Sequence, residues 1–338
     1  MLNIFAIDPE ICRDPEWFRY CIEHCHPSQG RMIADLPPGG WDVEANKVIK
    51  KQASKEKEKK RQNRYLEMAK KQLVDRPGTV WKSLVYNNSP DPDPSWIIQT
   101  EKEHGREPFS AVVSPDYNET EDTDETEDTE PKYYPDELDR TVEAWNTPSG
   151  IAITRSPGDF VNAILPMLRL SKEIHFLDRY FSIDDNSSHT QNYKQIIEDL
   201  ANNHNPPFYP FPSTLTIHFC PDSNRIPATN YIQNRLEKHY ADLIPIGKSV
   251  KIFLWQIKQN ITIERGGHPF HNRYVLSNHC GVFVGYGTDS FKAPTDAPDL
   301  LQVIDEKIYR TLLKQIRKKT FPMLDVQQDF VINGTKRV

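Results

Sequence analysis

The chain has 338 residues, room for two domains that each bury a core. Its 37% apolar and 27% charged residues are ordinary, while 27 prolines and a mean hydropathy of -0.68 predict long polar loops between globular parts. A formal charge of -6 offers no global attraction to nucleic acid, and no apolar run approaches the ~20 residues of a membrane span, so local patches must carry any polyanion contact.

Met1–Asp8 lacks the basic n-region and cleavage site of a secretory leader. The five cysteines, Cys12, Cys21, Cys25, Cys220 and Cys280, form no disulfide framework. Both features set the expectation of a cytoplasmic protein without a membrane partner.

The first segment, residues 1–110, reads as a mainly helical domain. Asp14-Pro15-Glu16 is a helix start, with Asp as cap, Pro in the first turn and Glu at the positive end of the dipole. That helix would run through Trp17, Phe18 and Ile22 and end near His26-Pro27. Cys12, Cys21, His24, Cys25 and His26 crowd together, but no second ligand pair stands at zinc-finger distance, so a packed helix face is expected and no metal or cofactor.

Gly30–Leu36 follows as a short strand or turn. Lys47, Lys50, Lys51, Lys55, Lys57, Lys59, Lys60, Arg61 and Arg64 then form a basic run opposed only by Glu56 and Glu58. It reads as a helix suited to a phosphate backbone or an acidic partner, with a merely solvated helix face as the alternative. Trp81 and Trp96 suggest an aromatic core beside it.

Residues 111–135 read as an acidic disordered linker, because Asp116–Glu130 holds nine carboxylates and no base. Its sign, opposite to the basic run, raises two readings: an autoinhibitory tether or a solubilising spacer.

From 136 to 338 the pattern is α/β. Gly158–Val161 opens a helix with Phe160, Ile164, Leu165 and Leu168 on one face, which Pro166 should kink or end early. Ile174–Phe181 is a strand with a polar end, Asp178-Arg179-Tyr180. A helix near Asn192–Asn203, a strand Thr214–Cys220, a helix Asn230–Leu243 and a strand Val250–Ile257 follow. Lys258–Ile263 could add another. This alternation predicts a mixed or mostly parallel sheet covered on both faces. Asp299–Phe321 reads as one long closing helix with Leu300, Leu301, Val303, Ile304, Ile308, Leu312, Leu313 and Ile316 inward, and with Lys314, Arg317 and Lys318 as a second basic patch.

Between them, Tyr274–Leu276 and Val282–Val284 read as two strands joined at Ser277-Asn278. His271 and Arg273 stand two residues apart at the start of the first, on one face. A guanidinium offers a planar fork to phosphate, and an imidazole can attack phosphorus or donate a proton. The order His271, one residue, Arg273, four residues, Asn278, then Gly285-Tyr286-Gly287-Thr288, resembles a degenerate phospholipase D-like (HKD) signature. It is also similar to the single-motif C-terminal domains of MIT-domain proteins and their bacterial relatives.

The resemblance implies a phospholipase D-like mixed sheet flanked by helices. It implies His271 as nucleophile and Arg273 as phosphate clamp, with Asn278 where the family has an acid. Asp178-Arg179-Tyr180 looks like the strand-end position near the ligand face. There Asp178 would orient His271 and Arg179 would add a phosphate contact, an internal Asp–Arg pair being the alternative. No second motif is present, so turnover would need a homodimer joining two His271 side chains.

Two functions are expected. The first is a DNA- or RNA-binding subunit held with other protein subunits in a larger prokaryotic assembly, by analogy an anti-phage defence complex. The second is a dimeric, metal-independent phosphodiesterase or nuclease.

Overall fold

The computed structural model describes residues 2–52, 55–76, 96–106, 108–115, 132–133, 138, 142, 145, 150–154, 158–179, 181–185, 187–202, 209–221, 227–258, 270, 272–285 and 299–337. The chain forms two compact units, Leu2–Pro148 and Ser149–Val338. The division therefore falls later than the expected linker at 111–135. The cause is packing: Val113 on one side of the acidic run, and Leu138, Val142 and Trp145 on the other, fill the same N-terminal core. Residues 116–130 themselves lie outside the described set.

The N-terminal unit is α/β, which corrects the mainly helical expectation. Strands β1 (Asn3–Ile7), β2 (Arg31–Ala34), β3 (Leu73–Val74), β4 (Ala111–Val113) and β5 (Lys132–Tyr133) form an all-parallel sheet in the order β3-β2-β1-β4-β5. Helices α1 (Pro15–His24), α2 (Trp41–Gln52), α3 (Glu56–Ala69) and α4 (Trp96–Arg106) provide the cover.

Alternate strand residues serve two cores. Phe5, Ile7 and Ile33 meet Phe18, Trp41 and Leu66, whereas Ala6, Ala34 and Val112 meet Phe109 and Trp96. A parallel sheet buried on both faces needs such near-continuous apolar strands rather than alternation. Asp14 caps α1 as expected, accepting from the amides of Glu16 and Trp17 at 2.8 and 3.1 Å. Trp96 donates from its indole to the Leu36 carbonyl at 3.2 Å. Trp81 lies outside the described residues.

The C-terminal unit is a mixed sheet ordered β13-β9-β8-β7-β10-β11-β12-β6. Its strands are β6 (Gly150–Ile153), β7 (Glu173–Leu177), β8 (Thr214–Phe219), β9 (Ser249–Ile257), β10 (Arg273–Ser277), β11 (Gly281–Val284), β12 (Asp299–Val303) and β13 (Leu324–Asn333). Strands β7, β8 and β9 are parallel, and the other pairings are antiparallel. Helices α5 (Asp159–Arg169), α6 (Ser188–Asn202), α7 (Thr229–Tyr240) and α8 (Glu306–Lys318) complete it.

Gly158, at φ 91°, occupies the left-handed region before α5, where a side chain would be strained. Pro166 sits inside α5 without ending it, because the helix continues to Arg169. Phe176 of β7 meets Tyr193 of α6 edge to face at 5.1 Å, which seats α6 on one face of the sheet. On the other face Leu177, Trp255 and Leu276 share a core with Ile316 of α8.

The expected single helix Asp299–Phe321 is instead a strand and a helix. Leu301 and Val303 are buried while Leu300 is 45% exposed, which is the period of a strand. Asp305 then caps α8, accepting from Lys307 N at 2.8 Å. Ile308, expected inward, is 48% exposed. Strand β13 was not expected at all, and residues 259–263, a candidate strand, lie outside the described set.

Among the described residues no helix is long and apolar enough to cross a membrane.

Candidate functional site

Asp178 is the residue after β7, and its amide donates to the His218 carbonyl at 2.9 Å, extending the β7–β8 ladder by one step. Its side chain is fully buried. The register that pairs Tyr274 with Leu177 carries Arg273, the first residue of β10, to its side. Arg273 Nε stands 4.0 Å from Asp178 Oδ1, and Arg273 Nη1 donates to the Gly285 carbonyl at 2.9 Å. A carboxylate and a strand-end carbonyl thus hold the guanidinium in one orientation.

Two further side chains reach Asp178 from α6. Tyr193 donates its hydroxyl to Oδ2 at 3.4 Å, and His189 places Nδ1 3.6 Å from the same oxygen. Gly285 closes the cluster: a Cβ there would run into the carboxylate of Asp299, whose Oδ1 accepts from Leu300 N at 2.7 Å. Gly285→Ala is therefore expected to cost about 1–3 kcal/mol of stability, read from denaturant midpoints.

The structure brings Asp178 and Arg273 together; the expected partner of Asp178, His271, lies outside the described residues. The structure places Asn278 elsewhere. Strand β10 spans five residues, so Asn278 lies roughly 16 Å from Arg273 along the strand, at its other end. There its Oδ1 accepts from the amides of Lys172 and Glu173 at 2.7 and 3.1 Å, the work of a turn-closing side chain. Arg179 follows Asp178 half-buried. His271, Tyr180, Tyr286, Gly287 and Thr288 lie outside the described residues.

On the opposite face of the sheet a second polar chain is buried, and the sequence carried no sign of it. The Trp255 indole donates to His218 Nδ1 at 3.1 Å, so the neutral His218 ring carries its proton on Nε2. That proton points at His175 Nδ1, 3.3 Å away, and His175 Nε2 in turn donates to Glu173 Oε1 at 2.9 Å. Arg317 of α8 completes the chain with Nε 3.0 Å from Oε1 and Nη2 on Oε2 of Glu173. The chain ties three parallel strands to a helix.

Burial above all, with the neighbouring His175 and Lys319 as lesser causes, pushes the His218 imidazole well below its ordinary value. Hydrogen bonds from His175 and Arg317 pull Glu173 down to about 2. Both groups have folded values below their unfolded ones, so both contribute stability that is full above the unfolded value and lost as pH falls. For Glu173 that window runs from 4.5 down to about 2. The thermal midpoint is expected to fall across it, and Glu173→Gln is expected to flatten that part of the profile.

Arg317, expected in a basic patch with Lys314 and Lys318, is thus committed to Glu173, while Lys314 and Lys318 stay exposed.

In the N-terminal unit the basic run is two helices. Lys50 and Lys51 end α2, Lys55 precedes α3, and residues 53–54 lie outside the described set. Gln62, Leu66 and Ala69 are the buried side of α3. Lys57, Lys60, Arg61 and Arg64 follow the spacing i, i+3, i+4, i+7 and occupy the opposite side, all exposed.

Arg61 pairs with Glu16 at 3.3 Å, and Lys60 with Glu56 at 3.9 Å. Such open pairs are screened and weak. Lys50, Lys51, Lys55, Lys57, Lys59 and Arg64 have no ion-pair partner among the described residues. Nine bases against two acids from Lys47 to Arg64 make this a strongly positive surface on a chain of net charge -6.

No family model, no curated protein and no solved structure matches the chain.

Two other clusters are internal. Cys12, Cys21 and Cys25 are buried in the N-terminal core, and burial pushes all three thiols up. His24 bonds the Tyr20 carbonyl at 2.8 Å and His26 the Ser28 hydroxyl at 2.6 Å, so this is a packed helix face. Strand order in the same unit reverses between β1 and β4, the place where open parallel sheets commonly bind ligands. There Asp8 accepts from the Ser114 hydroxyl at 2.8 Å and Glu10 N at 2.9 Å, and Asp35, beyond β2, accepts from Gly39 N and Trp41 N at 2.9 and 3.1 Å. The chain's own groups occupy these carboxylates.

Proposed function

We propose that the protein binds nucleic acid through the outward face of α3, as a DNA- or RNA-holding component of a larger assembly. The carrying observation is the stripe Lys57, Lys60, Arg61 and Arg64, four cations on one helix face opposite the buried one. Phosphates repeat along a backbone as these charges repeat along the helix, and each contact releases condensed counterions. Lys50, Lys51, Lys55 and Lys59 widen the same positive field. Nothing in this stripe reads base edges, so affinity should be largely independent of sequence.

A second reading, phosphodiester cleavage in a phospholipase D-like domain with His271 as nucleophile, draws support from one contact. Arg273 is held beside Asp178 at the strand end where the resemblance puts a phosphate clamp. Labelled single- and double-stranded DNA incubated with the protein in EDTA separates the two. The first reading expects retained, uncleaved DNA with wild type and His271→Ala alike. Cleavage by wild type that disappears in His271→Ala would replace it with the second.

A further inference from the structure

We propose that β13 is a self-pairing edge, which joins two copies of this chain antiparallel about a two-fold axis at Val331. This pairing is independent of both functional readings.

The C-terminal sheet ends on β6 at one side and on β13 at the other, and among the described residues no strand lies outside either. Strand β6 has four residues, whereas β13 has ten. An edge of that length presents a row of backbone donors and acceptors, and natural sheets blunt such rows with Lys, Pro or a bulge. Strand β13 carries one such device, a register shift between Val326 and Gln328. From Gln328 to Asn333 the register is regular, with no Lys, Arg or Pro and with one charge, Asp329. The strand's end is fixed, because a Cβ at Gly334 would run into the carbonyls of Ile244 and Pro245. The edge is thus held in shape before any partner arrives.

The ladder decides which backbone groups face outward. The Gly334 amide donates to Lys248 O at 3.0 Å, and the register pairs Ile332 with Val250 and Phe330 with Ile252. Along an antiparallel strand, residues that bond to one side alternate with residues that face the other. Gly334, Ile332 and Phe330 therefore bond toward β9, and Asp329, Val331 and Asn333 turn their N–H and C=O groups away from it. The Gln328 side-chain amide donates to Asp329 O at 3.0 Å, a local stand-in for a strand N–H. Side chains of the same three residues are exposed, Val331 at 43%, while Phe330 and Ile332 are buried.

A two-fold axis at Val331 makes this edge complementary to itself. Val331 meets its own copy, and Asp329 meets Asn333 of the second copy on either side of the axis. Each pair exchanges two backbone hydrogen bonds. The side chains match as well: an apolar pair at the axis is flanked by a carboxylate opposite an amide, which can donate to it. Centring the axis on Asp329 would instead set two carboxylates together, which is unfavourable. The chemistry therefore selects one register, with a second copy of the chain as the partner.

The resulting sheet runs through both copies. Four strand spacings lie between β10 and β13 in each copy and one more spans the axis, which puts the two β10 strands roughly 40 Å apart. This dimer is therefore not one that joins two phosphate sites at β10. It carries two α3 stripes, which makes the particle bivalent toward a long nucleic acid.

Sedimentation velocity on the full-length protein, from about 1 to about 300 μM, is the test, since a contact of this size sits at the small end of specific interfaces. Wild type should shift reversibly from monomer to dimer within that range. Val331→Lys, which sets two ammonium groups together at the axis, should weaken dimerisation roughly tenfold or more with an unchanged melting temperature. Asn333→Asp should weaken it about fivefold or more by opposing carboxylates, and adding Asp329→Asn to that variant should restore dimerisation to within about twofold of wild type. The exchange keeps the composition of the strand, so it decides the matter should Val331→Lys not fold as judged by circular dichroism. Wild type that stays monomeric throughout, a dimer untouched by a folded Val331→Lys, or an exchanged variant as weak as Asn333→Asp alone would overturn the proposal.

Discussion

Replacing Lys57, Lys60, Arg61 and Arg64 together by Gln is expected to weaken binding to a short DNA duplex roughly 10²–10³-fold at 0.1 M salt, because about four counterion-releasing contacts disappear. The fold should survive. All four side chains are exposed, on the face of α3 away from Gln62, Leu66 and Ala69, and exposed substitutions of this kind usually change stability by less than about 0.5 kcal/mol each. Glutamine keeps the helix propensity of the originals, so the change is one of charge. Fluorescence anisotropy gives the affinity, and an unaltered thermal midpoint shows that the loss is electrostatic. Neutralising Lys314 and Lys318 on α8 is the matched control. Those two are exposed cations of the other unit, next to an arginine already bound to Glu173.

The second large effect belongs to His218. Its ring lies fully inside the sheet's α8 face, stacked on Phe253 at 5.3 Å, and it accepts the Trp255 indole proton. His218→Ala removes a buried ring, strands the indole N–H, and cuts His175 from its partner. The expected cost is roughly 3–5 kcal/mol, combining a cavity with an unsatisfied buried donor. Urea denaturation followed by tryptophan fluorescence should show it, together with a shifted native emission, since Trp255 loses its acceptor. His175→Gln is expected to cost less, because Gln can still donate toward Glu173 and accept from His218. Equal costs would show that the chain does not act through its hydrogen bonds.

The legible part of the fold is the part whose signals are local. Ser277-Asn278 and the flanking glycines announce the β10–β11 hairpin, and β-branched or aromatic runs announce β7, β8 and β9. Asp178 could be singled out because it stands at the polar end of a strand run and matches the strand-end position that the family resemblance implies. What stayed hidden is set by long-range pairing. Strands β3 and β4, of two and three residues, are too short for any period to show. Leu300, Leu301, Val303 and Ile304 suit a helical face as well as a strand, and only Asp305 accepting from Lys307 N marks the break.

The same holds at the site. His189 meets Asp178 across a strand–helix connection, so no spacing rule points to it. His175, His218 and Trp255 come from three strands and meet only when the parallel register aligns them. Conversely, Asn278 occupies its motif position, yet the geometry of β10 sends it to the far end of the strand. The basic run was visible as composition. Its division into two helices, with four cations on one side of the second, needed the structure.

Acid should expose the buried chain and salt should expose the basic face, and the second response bears on function. The most direct measurement is the slope of log affinity against log salt for a labelled duplex, taken with wild type and with the four-residue α3 variant. Binding through the α3 face predicts a linear fall for wild type and a slope shallower by about 3–4 in the variant. Equal slopes for the two proteins, or no measurable binding by wild type at low salt, would contradict it.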